Sequence, residues 1–215
     1  KKPFVPPGTV QITEKLFADI SEISNFSWLE YMYHTGMKYG GNSPEYKSVI
    51  PDTSVWHHQT PHAEMLSRLY LRHPRFREFP VVGITRSQAE AFCKWRTQKV
   101  KEFYAIRYKK ELKINYRLPT KEEWEFLADN ALPVLRNRGK NEKGNPLLNS
   151  RDVYIADTVP TKPVNTFEAS RFGLYNLLGN VAEMIQNDSI VKGGSWKHSI
   201  NDCRTGKDLV YSGAS

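Results

Sequence analysis

Cys93 and Cys203 are the only cysteines in this 215-residue sequence, and thiols are the side chains best suited to soft-metal binding or cross-linking. Two thiols 110 positions apart can pair, bind a metal or both stay free, and spacing alone does not choose. So few cysteines exclude a small disulfide-stapled domain. His57, His58 and His62 fall within the run His57-His58-Gln59-Thr60-Pro61-His62, and imidazoles so grouped can converge on zinc or iron. That run straddles a loop and a helix start, and no carboxylate accompanies it at a ligand spacing. A solvated polar loop is the better reading. The sequence contains no nucleophile elbow, phosphate loop or dinucleotide glycine fingerprint.

Charge is concentrated. The formal net charge is +8, yet residues 68–117 hold 14 Lys/Arg against 4 Asp/Glu. Such a block can meet nucleic acid, acidic lipid or an acidic protein. No nucleic-acid fold signature accompanies it, and its charges interleave with apolar residues Phe92, Val100 and Phe103. It therefore reads as a solvated basic face around a long helix, a protein or envelope contact and not a nucleic-acid site. With 39% hydrophobic and 25% charged residues, composition excludes collagen, coiled coil and wholesale disorder. No apolar run approaches the ~18 residues of a membrane span. The start, Lys1-Lys2-Pro3-Phe4-Val5-Pro6-Pro7-Gly8, lacks a hydrophobic signal core, so the expectation is either a cytosolic protein or a targeting segment already removed.

Several elements must position these groups. Val10-Gln11-Ile12 alternates and predicts a first strand. Ser24 or Asn25 caps a helix with Trp28, Leu29 and Met32 on one face, and Gly36 stops it. Residues 36–59 read as a long loop, and Thr60-Pro61 opens a short helix. Phe79-Pro80-Val81-Val82-Gly83-Ile84 reads as a short buried strand. Thr85-Arg86-Ser87-Gln88 is a capping box, and the helix it opens buries Ala89, Phe92, Cys93, Val100 and Phe103. Tyr116-Arg117-Leu118-Pro119 halts the chain before Thr120-Lys121-Glu122-Glu123 caps a helix containing Trp124 and Leu127. Residues 131–172 are rich in Asn, Gly, Pro and Lys and read as irregular. The pattern predicts an α+β fold of low regular content, organised as a single domain over residues 1–215.

Four segments, in order and in register, resemble the sulfatase-modifying-factor domain of formylglycine-generating enzymes. They are Pro80-Val81-Val82-Gly83 with Ala89-Glu90-Ala91-Phe92-Cys93-Lys94-Trp95; Tyr116-Arg117-Leu118-Pro119-Thr120-Lys121-Glu122-Glu123-Trp124-Glu125; Phe172-Gly173-Leu174-Tyr175-Asn176-Leu177-Leu178-Gly179-Asn180-Val181-Ala182-Glu183; and Gly193-Gly194-Ser195-Trp196. Val5-Pro6-Pro7-Gly8 and Glu22-Ile23-Ser24-Asn25 look like that domain's opening strand and first helix. The resemblance implies a C-type-lectin-like α+β fold, with Cys93, Trp95, Arg117, Trp124, Gly193, Gly194 and Trp196 as structural positions. Upstream, Pro51-Asp52-Thr53-Ser54-Val55-Trp56 and Tyr70-Leu71-Arg72-His73-Pro74 look like the gliding-motility and type IX secretion lipoproteins that use this domain as an envelope building block.

What the resemblance implies for the site divides in two. Family enzymes hold copper(I) on two cysteines that follow the Gly-Gly-Ser-aromatic motif, since copper(I) prefers two soft sulfurs. Here Cys203 matches the second, His198 stands at the first, and Ala182 replaces a tryptophan beside the site. Copper oxidase chemistry is therefore not expected, and Cys203 reads as a packed thiol. Cys93 reads as a buried thiol, because the closing segment that carries its partner in some members is absent after Gly213-Ala214-Ser215. Asn176, Gly179, Val181 and Glu183, by contrast, match a calcium site of the family, two side-chain oxygens and two carbonyls wrapping one tight turn around a hard cation. A second family calcium site falls near Asn149 and Asp157, where the match is poor.

The resulting expectation is a non-catalytic domain, exported to the periplasm or cell envelope. It serves as a structural or binding component with other envelope proteins, without a membrane span, and with any lipid anchor lying outside this sequence. The alternatives are a metal-dependent oxidase of the formylglycine-generating type and a lectin-like ligand-binding protein.

Overall fold

The computed structural model describes residues 4–57, 60–129, 139–153 and 159–211. Strands β1 (Thr9–Gln11) and β2 (Phe17–Asp19) form an antiparallel hairpin with Thr9 opposite Asp19. Helices α1 (Asn25–Tyr39), α2 (Pro44–Ser48) and α3 (Ala63–Leu69) follow, with 3-10 turns at Thr53–Trp56 and Pro74–Phe76. Then come the long α4 (Arg86–Tyr108) and α5 (Lys121–Asp129). Strands β3 (Glu183–Met184), β4 (Ile190–Lys192) and β5 (Leu209–Val210) make a small antiparallel sheet in that order. The fold is α+β with little regular structure, as the sequence pattern predicts.

Local chemistry accounts for the helix starts. The Ser24 hydroxyl accepts from Ser27 N–H to cap α1, and Thr85 and Gln88 close both halves of the capping box on α4. Thr120 and Glu123 exchange the same pair of bonds at α5, at 3.1 and 2.9 Å. Four expectations fail. Gly36 does not stop α1, which runs to Tyr39 with Gly40 (φ 94°) after it. A Cβ at position 36 would lie 3.1 Å from the Tyr46 ring, so this glycine serves the close packing of α2 inside the presumed loop. Residues Thr60-Pro61 form a turn, and α3 begins only at Ala63. The expected strand over 79–84 reduces to an isolated bridge at Pro80, and the chain bends at Gly83 (φ 73°). Val81 N–H bonds Ile23 O at 2.9 Å, Gly83 O accepts from Asp52, and Pro80 bridges Ser24. Phe103 is 53% exposed and Cys93 only half-buried, because the aromatic packing of α1 on α4 centres on Trp28, Tyr31, Phe92 and Trp95, toward the start of α4.

Three clusters form the core: Trp28, Tyr31, Met32 and Phe92 between α1 and α4; Trp56, Leu66, Tyr70 and Phe76 around α3; and Trp124, Leu148, Ile185 and Cys203 between α5 and the small sheet. Lys192 crosses the last of these. Its side chain is wholly buried, its Nζ bonds Glu125 at 2.8 Å and Asp208 at 2.9 Å, and it lies 5.4 Å from the Trp124 ring centroid. The two carboxylates reach solvent, so the fixed partner is the lysine.

Stripping the lysine of both acids should hurt more than removing the lysine. In urea unfolding, the Glu125→Gln/Asp208→Asn variant should lose about 3–5 kcal/mol, the cost of an uncompensated buried charge. Lys192→Met, close in volume, should lose under about 1.5 kcal/mol. The reverse order would show that packing, and not charge pairing, holds this corner.

Candidate functional site

The predicted turn 176–183 is built from residues that tolerate left-handed backbone: Asn176 at φ 52°, Gly179 at 79° and Asn180 at 57°. At Gly179 the freedom is required, since a Cβ there would lie 2.5 Å from the Asn149 carbonyl oxygen. That carbonyl accepts from Asn180 N–H at 2.7 Å, while Gly179 N–H donates to Gly193 O at 2.8 Å. Thus three irregular stretches, around residues 149, 179 and 193, touch backbone to backbone.

Side-chain amides tie the turn to the rest of the chain. Asn176 Nδ2 donates to Glu22 Oε2 at 3.0 Å and to Pro163 O at 3.2 Å. Asn180 Nδ2 donates to Glu22 Oε1 at 2.8 Å and to Lys162 O at 3.1 Å. Asn180 Oδ1 in turn accepts from Lys162 N–H at 2.8 Å and Asn149 Nδ2 at 3.2 Å. Asn176 Oδ1 is different: it is buried and has no hydrogen-bond partner. Glu183, at the far end of the turn, accepts from Trp124 Nε1 at 2.6 Å.

The electrostatics are those of buried acids. Desolvation pushes Glu183 up to about 7 against the Trp124 hydrogen bond. Desolvation also raises Glu22 well above the usual carboxylate range, opposed by Asn180 and Asn176 and reinforced by the Glu183 charge. Glu22, which the Asn176 amide meets, and Glu183 are thus partly buried carboxylates within electrostatic range of each other. Glu22, Val181 and Glu183 line a cavity of about 820 Å³.

The same cavity is lined by Ala182, Ser195, Trp196 and His198. His198 Nδ1 is hydrogen-bonded with Ser195 Oγ at 2.8 Å, and burial lowers the imidazole's pKa. Cys203 is fully buried, packed so closely over Gly194 that a Cβ there would lie 2.5 Å from its Sγ. Burial pushes this thiol up to about 12, and nearby Asp202 and Asp152 add to the rise. Cys93, also free, is pushed up to about 11 mainly by burial. Neither sulfur is a thiolate near neutrality.

The other singled-out residues are structural in their contacts. Trp95 packs on Tyr31 and Phe92, and Arg117 makes a two-pronged pair with Glu123 at 2.7 Å on each arm. Gly193 (φ 83°) lets Leu177 O approach, and Trp196 stacks on Trp56 at 5.9 Å. Several cations of the basic block are paired within the chain: Arg77 with Glu78, Arg86 with Glu90 and Asp188, Arg96 with Asp19, and Lys99 with Glu102. His58 and Asp157 lie outside the described residues. Among the described residues, no group of three or more His, Cys, Asp or Glu side chains is arranged to hold a metal. Asn149, near the poorly matched second calcium site, donates through Nδ2 to Pro160 O and to Asn180 Oδ1. Sequence reasoning missed Glu22 and Asn180 as site residues, although both lie in segments that carry the resemblance.

The chain is 31% identical over 142 residues to inactive C-alpha-formylglycine-generating enzyme 2 of Bos taurus, covering 55% of this chain and 39% of that one. It is 29% identical over 114 residues to the serine/threonine-protein kinase pkn1 of Chlamydia pneumoniae, covering 53% and 14%. The chain thus spans less than half the length of the curated relatives it matches. Treponema denticola variable protein 1 shares the fold, with a TM-score of 0.52 at 17% identity over 98% of this chain and 88% of that one. The sulfatase-modifying factor enzyme 1-like domain matches residues 1–210, and the chain belongs to that family.

Proposed function

We propose that this sulfatase-modifying-factor-like domain is non-catalytic, a structural or binding component of the cell envelope whose turn 176–183 holds calcium. The observation that carries the first part is the state of the thiol pair. One position is His198, its Nδ1 engaged with Ser195, and the other is Cys203, a neutral thiol in the core. Copper(I) is held best by two soft sulfurs, and with His198 at the first position this chain offers one sulfur there, that of the buried Cys203.

Calcium fits by the donors at hand. Asn176 Oδ1 and Glu183 are the side-chain oxygens, and the carbonyls of Gly179 and Val181 belong to the same turn. Bound there, the cation would neutralise buried carboxylate charge and brace the turn, a structural task.

The envelope role rests on the upstream motifs. Trp56 and Tyr70, from the two segments that carry the closer resemblance to gliding-motility and type IX secretion lipoproteins, pack 4.6 Å apart and meet Trp196. Those motifs therefore shape one aromatic cluster. Export, envelope partners and a contact through the basic face belong to this same reading; nucleic acid does not, because no nucleic-acid fold signature accompanies the charge. No helix among the described residues is long and apolar enough to cross a membrane.

Three outcomes are expected. With copper(I), oxygen and a Cys-x-Pro-x-Arg peptide, mass spectrometry should show no formylglycine; turnover that depends on Cys203 would overturn the non-catalytic reading. Native protein treated with iodoacetamide near pH 7.5 should leave Cys203 unmodified and alkylate Cys93 slowly, whereas denaturant should expose both within the mixing time. Fast native labelling of Cys203 would contradict its burial. Chelator-stripped protein should give a calorimetric heat with calcium and a higher Tm, reflecting a stabilisation of about 2.7 kcal/mol at a hundredfold excess over Kd, and Glu183→Gln should abolish both. A flat titration of the native protein would remove calcium from the proposal.

A further inference from the structure

The amide network at the turn distinguishes its two asparagines. Both donate two hydrogen bonds through Nδ2, one of them to Glu22 in each case. Asn180 also has both acceptor contacts filled at Oδ1, so its orientation is fixed from both ends. Asn176 is held only by its donors, and its Oδ1 is buried without a partner on a residue 6% exposed. Turning the Asn176 amide over would set its oxygen against two acceptors, Glu22 Oε2 and Pro163 O, and lose both bonds. We infer that Glu22 is a positioning residue for the cation site: its carboxylate orients the Asn176 amide so that Oδ1 faces the turn.

The assignment has a structural corollary. Glu22 lies in the segment between β2 and α1, 154 residues from Asn176. The same segment is stitched in place by Ile20 O, which accepts from Tyr175 N–H at 2.8 Å, and by Ile23 O, which accepts from Val81. A cation drawn to Asn176 Oδ1 therefore locks the N-terminal segment against the turn, through one carboxylate that need not touch the ion. This inference rests on the calcium reading given above and adds to it the residue that makes one asparagine, and not the other, a ligand.

An acid–amide exchange tests it. In Glu22→Gln, the side-chain oxygen is needed by Asn180, whose orientation is fixed, so the new N–H faces Asn176. The Asn176 amide then turns over and offers N–H where the cation needs oxygen. Calcium affinity, read by calorimetry, should fall about 10-fold or more, as for other residues that orient metal ligands. In Glu22→Gln/Asn176→Asp, a carboxylate presents oxygen on both sides and the new amide donates to it, so affinity should return to within a few-fold of native. A residue that only stabilised the fold would give no such rescue. Glu22→Gln with native affinity, or an exchange variant that is folded yet as weak as the single variant, would overturn the inference while leaving calcium binding intact. If the single variant does not fold, the calcium-induced rise in Tm of the exchange variant decides, and its absence counts against the inference. Absence of calcium binding by the native protein would instead remove the reading beneath it.

Discussion

A carboxylate drawn largely out of water needs a hydrogen-bond donor at each oxygen, and Glu22 imposes that demand on this fold. Its two oxygens are met by amides of Asn176 and Asn180. Those asparagines are in turn committed to Pro163, Lys162 and Asn149. Three stretches that are neither helix nor strand thereby acquire fixed positions relative to the segment that opens α1. Where a sheet would satisfy backbone groups by repetition, this chain does so one side chain at a time. The glycines at 179 and 193 then permit the backbone contacts that the amide network enforces.

The second charged centre, Lys192 among Glu125, Asp208 and Trp124, performs a related task for α5 and the small sheet. Glu22 of the first centre and Trp124 of the second both line the cavity that His198, Ser195 and Ala182 border.

Much of this was legible in the residues. Helices α4 and α5 announce themselves because Thr85-Arg86-Ser87-Gln88 and Thr120-Lys121-Glu122-Glu123 are local signals acting within one turn. The glycine turn was legible too, since Asn176 to Glu183 is a contiguous run. What failed needed distant partners. Gly36 looks like a stop until Tyr46 is seen packed against it, and Phe103 looks like core until the extent of α1 packing is known. Val81 and Val82 have the composition of a strand, yet their neighbours are irregular chain and a 3-10 turn. Glu22 is the sharpest case: nothing in Ser21-Glu22-Ile23 marks the acid that holds the turn, because both amides that meet its carboxylate lie more than 150 positions away.

The stack of Trp56 on Trp196 joins a residue from the N-terminal half to one beside the Gly-Gly-Ser motif, with the planes inclined by 23°. Indoles at that separation share their electronic transitions, and the Tyr70 ring lies against one of them. The molecule accordingly carries a chromophore that exists only when its two halves are closed on each other. Together with Trp28, Trp95 and Trp124 it contributes to near-ultraviolet optical activity, and its share is lost when the C-terminal loops undock, whatever the helix content of α1 and α4.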